Sequence, residues 1–262
     1  MIRNCYLKDK LGGELVGTHI SMTDSIVSEV LGRLGYDFIW IDTEHSENSY
    51  TSLRQHITAV NAGGTPAIVR VSMNDYNHVK RVMEMGPDGL IFPMINTPEE
   101  ARAAMEFCMY PPEGRRGFGP LRAVGYGIDD MDSYIAEANE KTCRFVQVET
   151  ATAVDNLPEI VKNPYIDGFI FGPCDLSGSL GELNCVFGEK TQSYIRRAIS
   201  IIKDVGKPVG VSTGSTDPEV TGFWHDLGID IISTGTDYDY IMRGARDNLA
   251  DMRQKVFGKP TE

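Results

Sequence analysis

A single (β/α)8 TIM barrel of the α/β class is the fold this sequence predicts, and three observations predict it. The first is size, since 262 residues match the length that eight strand–helix units need. The second is a series of short apolar runs bounded by Gly, Pro and Asp, among them FIWI, AIVRV, LIFPM and GFIFG. Near-continuous apolar runs mark parallel strands covered on both faces, unlike the alternating pattern of a half-solvated antiparallel sheet. The third is that each run is followed by a stretch able to form a helix, so that strand and helix alternate along the chain. An open doubly wound sheet shares this alternation and is the second choice; eight repeats favour closure.

The eight candidate strands are residues 15–20, 37–43, 66–71, 89–94, 144–149, 168–171, 208–212 and 230–233. Between the first two, residues 23–34 place Ile26, Val27, Val30, Leu31 and Leu34 on one helical face. Asn74, Thr97 and Ser133 suit N-caps, Pro98 suits a first helical turn, and Gly35 and Gly86 suit helix ends. The fourth and fifth strands start 144 − 89 = 55 residues apart, and the gap holds YPPEGRRGFGPLR within a loop at 110–128. Read as following a strand, this loop lies at the active-site mouth of a barrel. No linker, low-complexity tract or repeat divides the chain, so residues 1–262 form one domain, with only the tail KVFGKPTE dispensable. The helix before the tail, about 238–256, packs on its own barrel or a neighbour's.

Composition narrows the function. With 41% hydrophobic and 24% charged residues, the chain can build a full core without disulfides or a structural metal. A net charge of 25 − 37 = −12 repels phosphate backbones and argues against nucleic acid. The five cysteines, Cys5, Cys108, Cys143, Cys174 and Cys185, are odd in number and lack zinc-finger spacing, which suits a reducing compartment. No run of about 18 apolar residues occurs, and MIRNCYLKDKLGG lacks the apolar segment of a signal peptide. The expectation is a cytoplasmic enzyme without a membrane partner.

Polar groups at the ends of apolar strands are the informative anomaly, because a buried charge is costly unless paired or bound to a metal. Strand two ends in Asp42-Thr43-Glu44-His45, strand three in Arg70, strand five in Gln147-Val148-Glu149, and strand six runs into Gly172-Pro173-Cys174-Asp175. All lie at the carboxyl ends of strands, where barrel enzymes keep their sites. Glu149 and Asp175 suit a hard divalent cation, or else a helix cap and a turn. His45 suits a general base oriented by Asp42 or Glu44. Arg70 within a buried strand calls for an anion, either an ion-pair partner such as Asp42 or Glu149 or a developing oxyanion. GPCDLSGSLG supplies backbone N–H groups for a carboxylate, and the Ser212-Thr213-Gly214 and Ser233-Thr234-Gly235 ends suit a phosphate cup, the mark of a phosphosugar isomerase.

The segments GYDFIWIDTEHS, the Arg70 strand, GLIFPMINTPEEA, YPPEGRRGFGP, FVQVET and DGFIFGPCDLSGSLG, in this order, resemble the HpcH/HpaI family of class II pyruvate-type aldolases, which includes 4-hydroxy-2-oxoheptanedioate aldolase. The resemblance implies reversible cleavage of a 4-hydroxy-2-keto acid to pyruvate and an aldehyde through a metal-stabilised enolate, with Mg²⁺, Mn²⁺ or Co²⁺ as cofactor. It makes Glu149 and Asp175 the metal ligands, Gln147 a pyruvate contact, His45 the proton acceptor and Arg70 the group that steadies the enolate. It seats the substrate carboxylate on the backbone at Cys174 and Asp175. A third-helix carboxylate that supports the histidine falls on Glu84, one methylene longer than the usual aspartate. Cys174 replaces a small residue, and Ser212 lies in VGVSTGS, more polar than the usual aldehyde contact. No lysine ends a candidate strand, which weighs against a Schiff base. A related 2-keto acid lyase such as an oxaloacetate decarboxylase, or a non-catalytic keto-acid-binding barrel, is the alternative. The resemblance also implies a homo-oligomer, a hexamer built as a trimer of dimers with helices exchanged between paired barrels.

Overall fold

The computed structural model of the protein describes residues 7–258, so Cys5 and the last four residues of the tail lie outside the described residues. In chain order the elements are β1 (Leu15–Ile20), α1 (Ser25–Gly32), β2 (Phe38–Asp42), α2 (Tyr50–Ala62), β3 (Ala67–Arg70), α3 (Tyr76–Glu84), β4 (Gly89–Phe92) and α4 (Pro98–Cys108). They continue with α5 (Met131–Lys141), β5 (Cys143–Val148), α6 (Ala151–Ile160), β6 (Gly168–Phe171), α7 (Pro173–Ser179), α8 (Glu189–Asp204), β7 (Val209–Ser212), α9 (Pro218–Asp226), β8 (Ile231–Thr236) and α10 (Asp237–Asp251). Each strand pairs in parallel with the next, and β8 returns to pair with β1, closing the barrel. The expected fold is the observed one, with the strands within one to three residues of their predicted ends.

Period-two alternation sorts each strand into an inner and an outer set. Leu15, Phe38, Trp40, Ile68, Ile91, Phe145, Ile170 and Ile231 fill the barrel, with Leu7 of a short 3₁₀ turn packed against the same set. Ile39, Ile41, Val69, Leu90, Val146, Phe169 and Val211 face outward into the helical shell. Gly17 makes room for this filling, since a Cβ there would lie 2.3 Å from the Phe38 ring. Parity carries the same split upward: residues 19, 42, 70, 147, 149, 212 and 233 continue the inner set at the carboxyl end.

Helix starts are written in side chains. Thr97 caps α4 with a reciprocal box to Glu100, and Pro98 opens the helix, as expected. The other two caps fall elsewhere: Asp75 caps α3 while Asn74 donates to Pro93 O at 2.6 Å, and Asp130 caps α5 by accepting from the Ser133 amide. Gly35 and Gly86 do sit in left-handed conformation after α1 and α3, with φ of 91° and 68°.

Two further expectations are corrected. On α1, Val27, Ser28 and Leu31 pack inward, whereas Ile26, Val30 and Leu34 are exposed. The helix has two apolar stripes, and periodicity alone does not say which one faces the barrel. The long loop follows α4 rather than a strand, so it begins at the amino end of the barrel, opposite the mouth. There it lies along α3: Arg116 Nη2 donates to Glu84 Oε1 at 3.0 Å and Arg122 Nη1 to Met85 O at 2.8 Å. Arg116 is buried and Arg115 stacks over Phe107, so neither arginine closes over this chain's own site. The final helix divides into α10 and one π-helical turn (Met252–Val256), and beyond Asp237 its residues are half-buried or exposed.

Candidate active site

The site is built from strand ends and the loops that follow them. Arg70 at the end of β3 makes two parallel hydrogen bonds to Asp42 at the end of β2, Nε to Oδ1 at 2.9 Å and Nη2 to Oδ2 at 2.6 Å. Its remaining nitrogen, Nη1, lies 3.0 Å from Glu44 Oε2, and its guanidinium stands 5.3 Å over the Trp40 ring. The strand register makes this possible, because Asp42 and Arg70 are paired residues on neighbouring strands. Burial pushes the Asp42 carboxyl up, but the hydrogen bonds and charge of Arg70 outweigh it and hold the group below the usual aspartate range. Burial raises Glu44 despite the same cation.

Across the mouth, Glu149 is buried just past β5, accepting from the Met94 amide at 2.5 Å and from the Gln147 side chain. Met94 adopts φ 53°, a left-handed conformation that a methionine rarely takes, and it turns this N–H into the site. Burial first, then the negative charges of Glu44 and Asp175, push Glu149 up to about 7. Gly172, after β6, leaves the space above this pair open: a Cβ there would lie 2.7 Å from both Gln147 Nε2 and Glu149 Oε2. Gln147 Oε1 is buried and has no hydrogen-bond partner among the described residues. Asp175 lies exposed in the first turn of α7, whose leading N–H groups have no intrahelical acceptor.

These features fit a hard divalent cation. The donors are oxygens, Glu149 is a carboxylate that burial and like charges would otherwise neutralise, and the missing Cβ at Gly172 keeps that position from crowding Glu149 Oε2. Among the described residues no cluster of three or more His, Cys, Asp or Glu forms, so two carboxylates would be the protein's share of the acidic ligands.

His45 sits in the loop after β2 with its side chain 65% exposed, 3.8 Å from Glu44 Oε2. Asp42 does not reach it; Arg70 takes that carboxylate, and Glu44 stands between arginine and histidine. The loop itself is anchored from below, since Ser46 Oγ and Asn48 Nδ2 donate to Asp42 O at 2.5 and 3.1 Å. Asn48 in turn bonds His56 Nε2 at 3.0 Å, and His56 Nδ1 lies 2.6 Å from Ser28 Oγ.

The structure brings Asp42, Arg70, Gln147 and Glu149 to one mouth, with Asp175 within electrostatic reach and His45 at its rim. Glu84 is not among them. It ends α3 at the far end of that helix, paired with Arg116, so within one chain its expected support of His45 is corrected. Cys174 is exposed beside Asp175, its thiol pushed up by burial of its surroundings and by that carboxylate. Ser212 faces the mouth, 3.3 Å from His19 Nε2. The phosphate cup dissolves, because the Thr213 hydroxyl is spent on Ser215 O and Ser233 O and that of Thr234 on Gly17 O. A cavity of about 180 Å³ lies away from the mouth, between Met83, Arg116, Tyr134 and Lys141. Sequence reasoning missed His19 and the Met94 turn; the parity of LVGTHI, which puts His19 on the inner face with Leu15 and Gly17, was the available signal for the first.

The profile of the HpcH/HpaI aldolase/citrate lyase family matches residues 16–244, spanning all eight strands but for one residue. The chain belongs to this family. Among its relatives, the hydroxypyruvate/pyruvate aldolase of Roseobacter denitrificans is 33% identical over 252 residues, covering 96% of this chain and 98% of its own. The 4-hydroxy-2-oxo-heptane-1,7-dioate aldolase of Klebsiella pneumoniae is 31% identical over 236 residues, or 90% and 88% of the two chains. A crystal structure of an HpcH/HpaI aldolase/citrate lyase family protein from Burkholderia cenocepacia superposes with a TM-score of 0.89 at 30% identity, covering 94% of this chain and 98% of that one. As an HpcH/HpaI protein, the chain keeps its acidic and basic strand-end residues in one ring, on the carboxyl side of the barrel.

Proposed function

We propose that the protein is a class II pyruvate-type aldolase, a carbon–carbon lyase that reversibly cleaves a 4-hydroxy-2-keto acid to pyruvate and an aldehyde. The observation that carries this reading is the arrangement of a buried arginine, locked by Asp42 and Glu44, opposite the buried Glu149 and Gln147 pair. The full-length likeness to relatives named as aldolases of 2-keto acids supports it. Glu149 and Asp175 would hold a divalent cation, Mg²⁺, Mn²⁺ or Co²⁺, which supplies positive charge to the keto acid oxygens when bound.

The protein's own groups do the rest. The first-turn N–H groups of α7 at Cys174 and Asp175 receive the substrate carboxylate, and the Gln147 amide orients the keto acid. His45 at the rim takes the proton of the C4 hydroxyl; as the C3–C4 bond breaks, its electron pair enters the C2–C3 enolate and C4 leaves as the aldehyde. Arg70 holds the enolate charge, and because Asp42 and Glu44 fix its guanidinium beforehand, little reorganisation is needed at that moment. Protonation at C3 gives pyruvate. Asp42 is a positioning residue here, acting through Arg70. The exposed apolar stripe of α1 and the exposed Ile241, Met242, Leu249 and Met252 of the last helical segments support a homo-oligomer, for which the family resemblance implies a hexamer. The test is cleavage of 4-hydroxy-2-keto acids followed by reduction of the released pyruvate. Turnover with Mn²⁺ that vanishes with chelator and in Glu149→Ala is expected; chelator-resistant turnover in that variant refutes the reading.

A further inference from the structure

The mouth has two unlike halves. The charged half spans β2, β3, β5 and β6 and carries the chemistry described above. The other half spans β7, β8 and β1, and its inward positions near the mouth are Ser212, Ser233 and His19, with no formal charge among the three when the imidazole is neutral. These groups are bonded to one another: His19 Nδ1 lies 3.0 Å from Ser233 Oγ, and His19 Nε2 lies 3.3 Å from Ser212 Oγ. The imidazole packs on Trp40 with centroids 4.5 Å apart, and Trp40 lies under Arg70, so this wall adjoins the reacting centre.

His19 is neutral at working pH. Burial, then the charge of Arg70, hold it down to about 4. A neutral imidazole has one donor and one acceptor, so where it engages both serines one hydroxyl donates to it and the other accepts, with the backbone at Thr234 and Gly235 also in reach of the ring. His19 and Ser233 are buried, whereas Ser212 is half-exposed and turns the end of the chain toward the mouth. Replacing both partners of such internal bonds with apolar groups of like shape is close to neutral for stability, so packing alone does not require this polarity. Its consequence falls on whatever covers Ser212. An alkyl group would bury the hydroxyl with His19 as its one side-chain partner, leaving its remaining hydrogen-bonding capacity unmet, and a carboxylate would meet no cationic side chain among the described inward residues of β7, β8 and β1.

We propose that His19, Ser212 and Ser233 form a neutral hydroxyl-recognition subsite, in which Ser212 touches the substrate and His19 positions Ser212, selecting a reactant that carries a hydroxyl next to its carbonyl. The inference rests on the aldolase reading. The hydroxyl comes either from the aldehyde or from C3 of the keto acid, and the test separates the two. With pyruvate and Mn²⁺, kcat/KM is compared for glycolaldehyde, its isostere propionaldehyde, and succinic semialdehyde; with propionaldehyde fixed, hydroxypyruvate is compared with pyruvate.

One hydroxyl preference of about tenfold or more is expected in the unmodified enzyme, on the scale set by a polar site left unpaired. That ratio should fall toward one in Ser212→Ala and His19→Phe and be largely kept in His19→Gln, whose amide still bridges a donor and an acceptor. Collapse of the aldehyde ratio assigns the subsite to the aldehyde, and collapse of the keto acid ratio assigns it to the donor. Flat ratios in the unmodified enzyme, or ratios indifferent to these variants, overturn the proposal while leaving pyruvate methyl exchange, and with it the aldolase reading, intact. Absence of both exchange and aldol product overturns the aldolase reading and this inference with it.

Discussion

Glu149 concentrates the electrostatics of the site in one residue. Its carboxyl titrates near 7 because burial and the charges of Glu44 and Asp175 outweigh the Met94 amide. A raised folded-state value means that, without a cation, this group's contribution to stability is present below the unfolded value and is lost as pH rises through about 7. A cation must displace the proton, so its affinity runs the other way. Mn²⁺ binding followed by calorimetry is expected to weaken about tenfold per pH unit below 7 and to level off above it; equal affinity at pH 5.5 and pH 8 would contradict this assignment. The residues of this cluster were legible in the sequence because charges interrupt apolar strand ends. The Arg70–Asp42 pair was one of the two ion pairs the strand ends offered, and it is the one that forms. Two other facts were not legible: that this pairing would leave Glu44 beside His45, and that Met94 would turn left-handed to aim its amide. Both depend on the register between strands and on a loop conformation that no residue type at 94 announces.

Among the elements, the eight strands were readable because their burial on two faces leaves unbroken apolar runs, with FIWI and GFIFG the plainest cases. Helix orientation was harder. The α1 pattern carried two apolar stripes, and the buried polar contact of Ser28 with His56 lies on the inward one. The start signals at Thr97, Pro98 and Ser133 mark two helices between β4 and β5, but they do not show where the first one ends, and the Arg-rich loop follows α4 instead of a strand, at the other end of the barrel. In the proposed mechanism the loop of residues 43–49 carries the proton acceptor His45, and Asn48 is the loop's tie to the shell. Asn48→Ala would leave the buried His56 ring nitrogen without its acceptor, at a cost of about 1–3 kcal/mol, and would free the backbone beside His45. Chemical denaturation should read that loss, and kcat should fall more than pyruvate affinity; unchanged kcat would show that the loop holds His45 without this tie.

The whole molecule presents two surfaces that a lone barrel leaves unexplained: the Ile26, Val30 and Leu34 stripe, and the exposed apolar side chains of α10 and the turn after it. Patches of this kind in a soluble protein mark association. Light scattering should give a mass several times that of one chain, and Ile26→Glu with Val30→Glu should lower it; a monomer at micromolar concentration would contradict the oligomer. Among the described residues no helix is long and apolar enough to cross a membrane. The proposed function gives the mouth one task, to form and hold an enolate, and pyruvate methyl exchange in D₂O, followed by proton NMR with Mn²⁺ removed before acquisition, tests that most directly because it needs no aldehyde. Exchange that depends on the divalent cation, stops with chelator and is lost in Glu149→Ala and Arg70→Ala is the predicted result. Absence of exchange with Mg²⁺, Mn²⁺ and Co²⁺ alike, in protein that is folded and binds the cation, would contradict it.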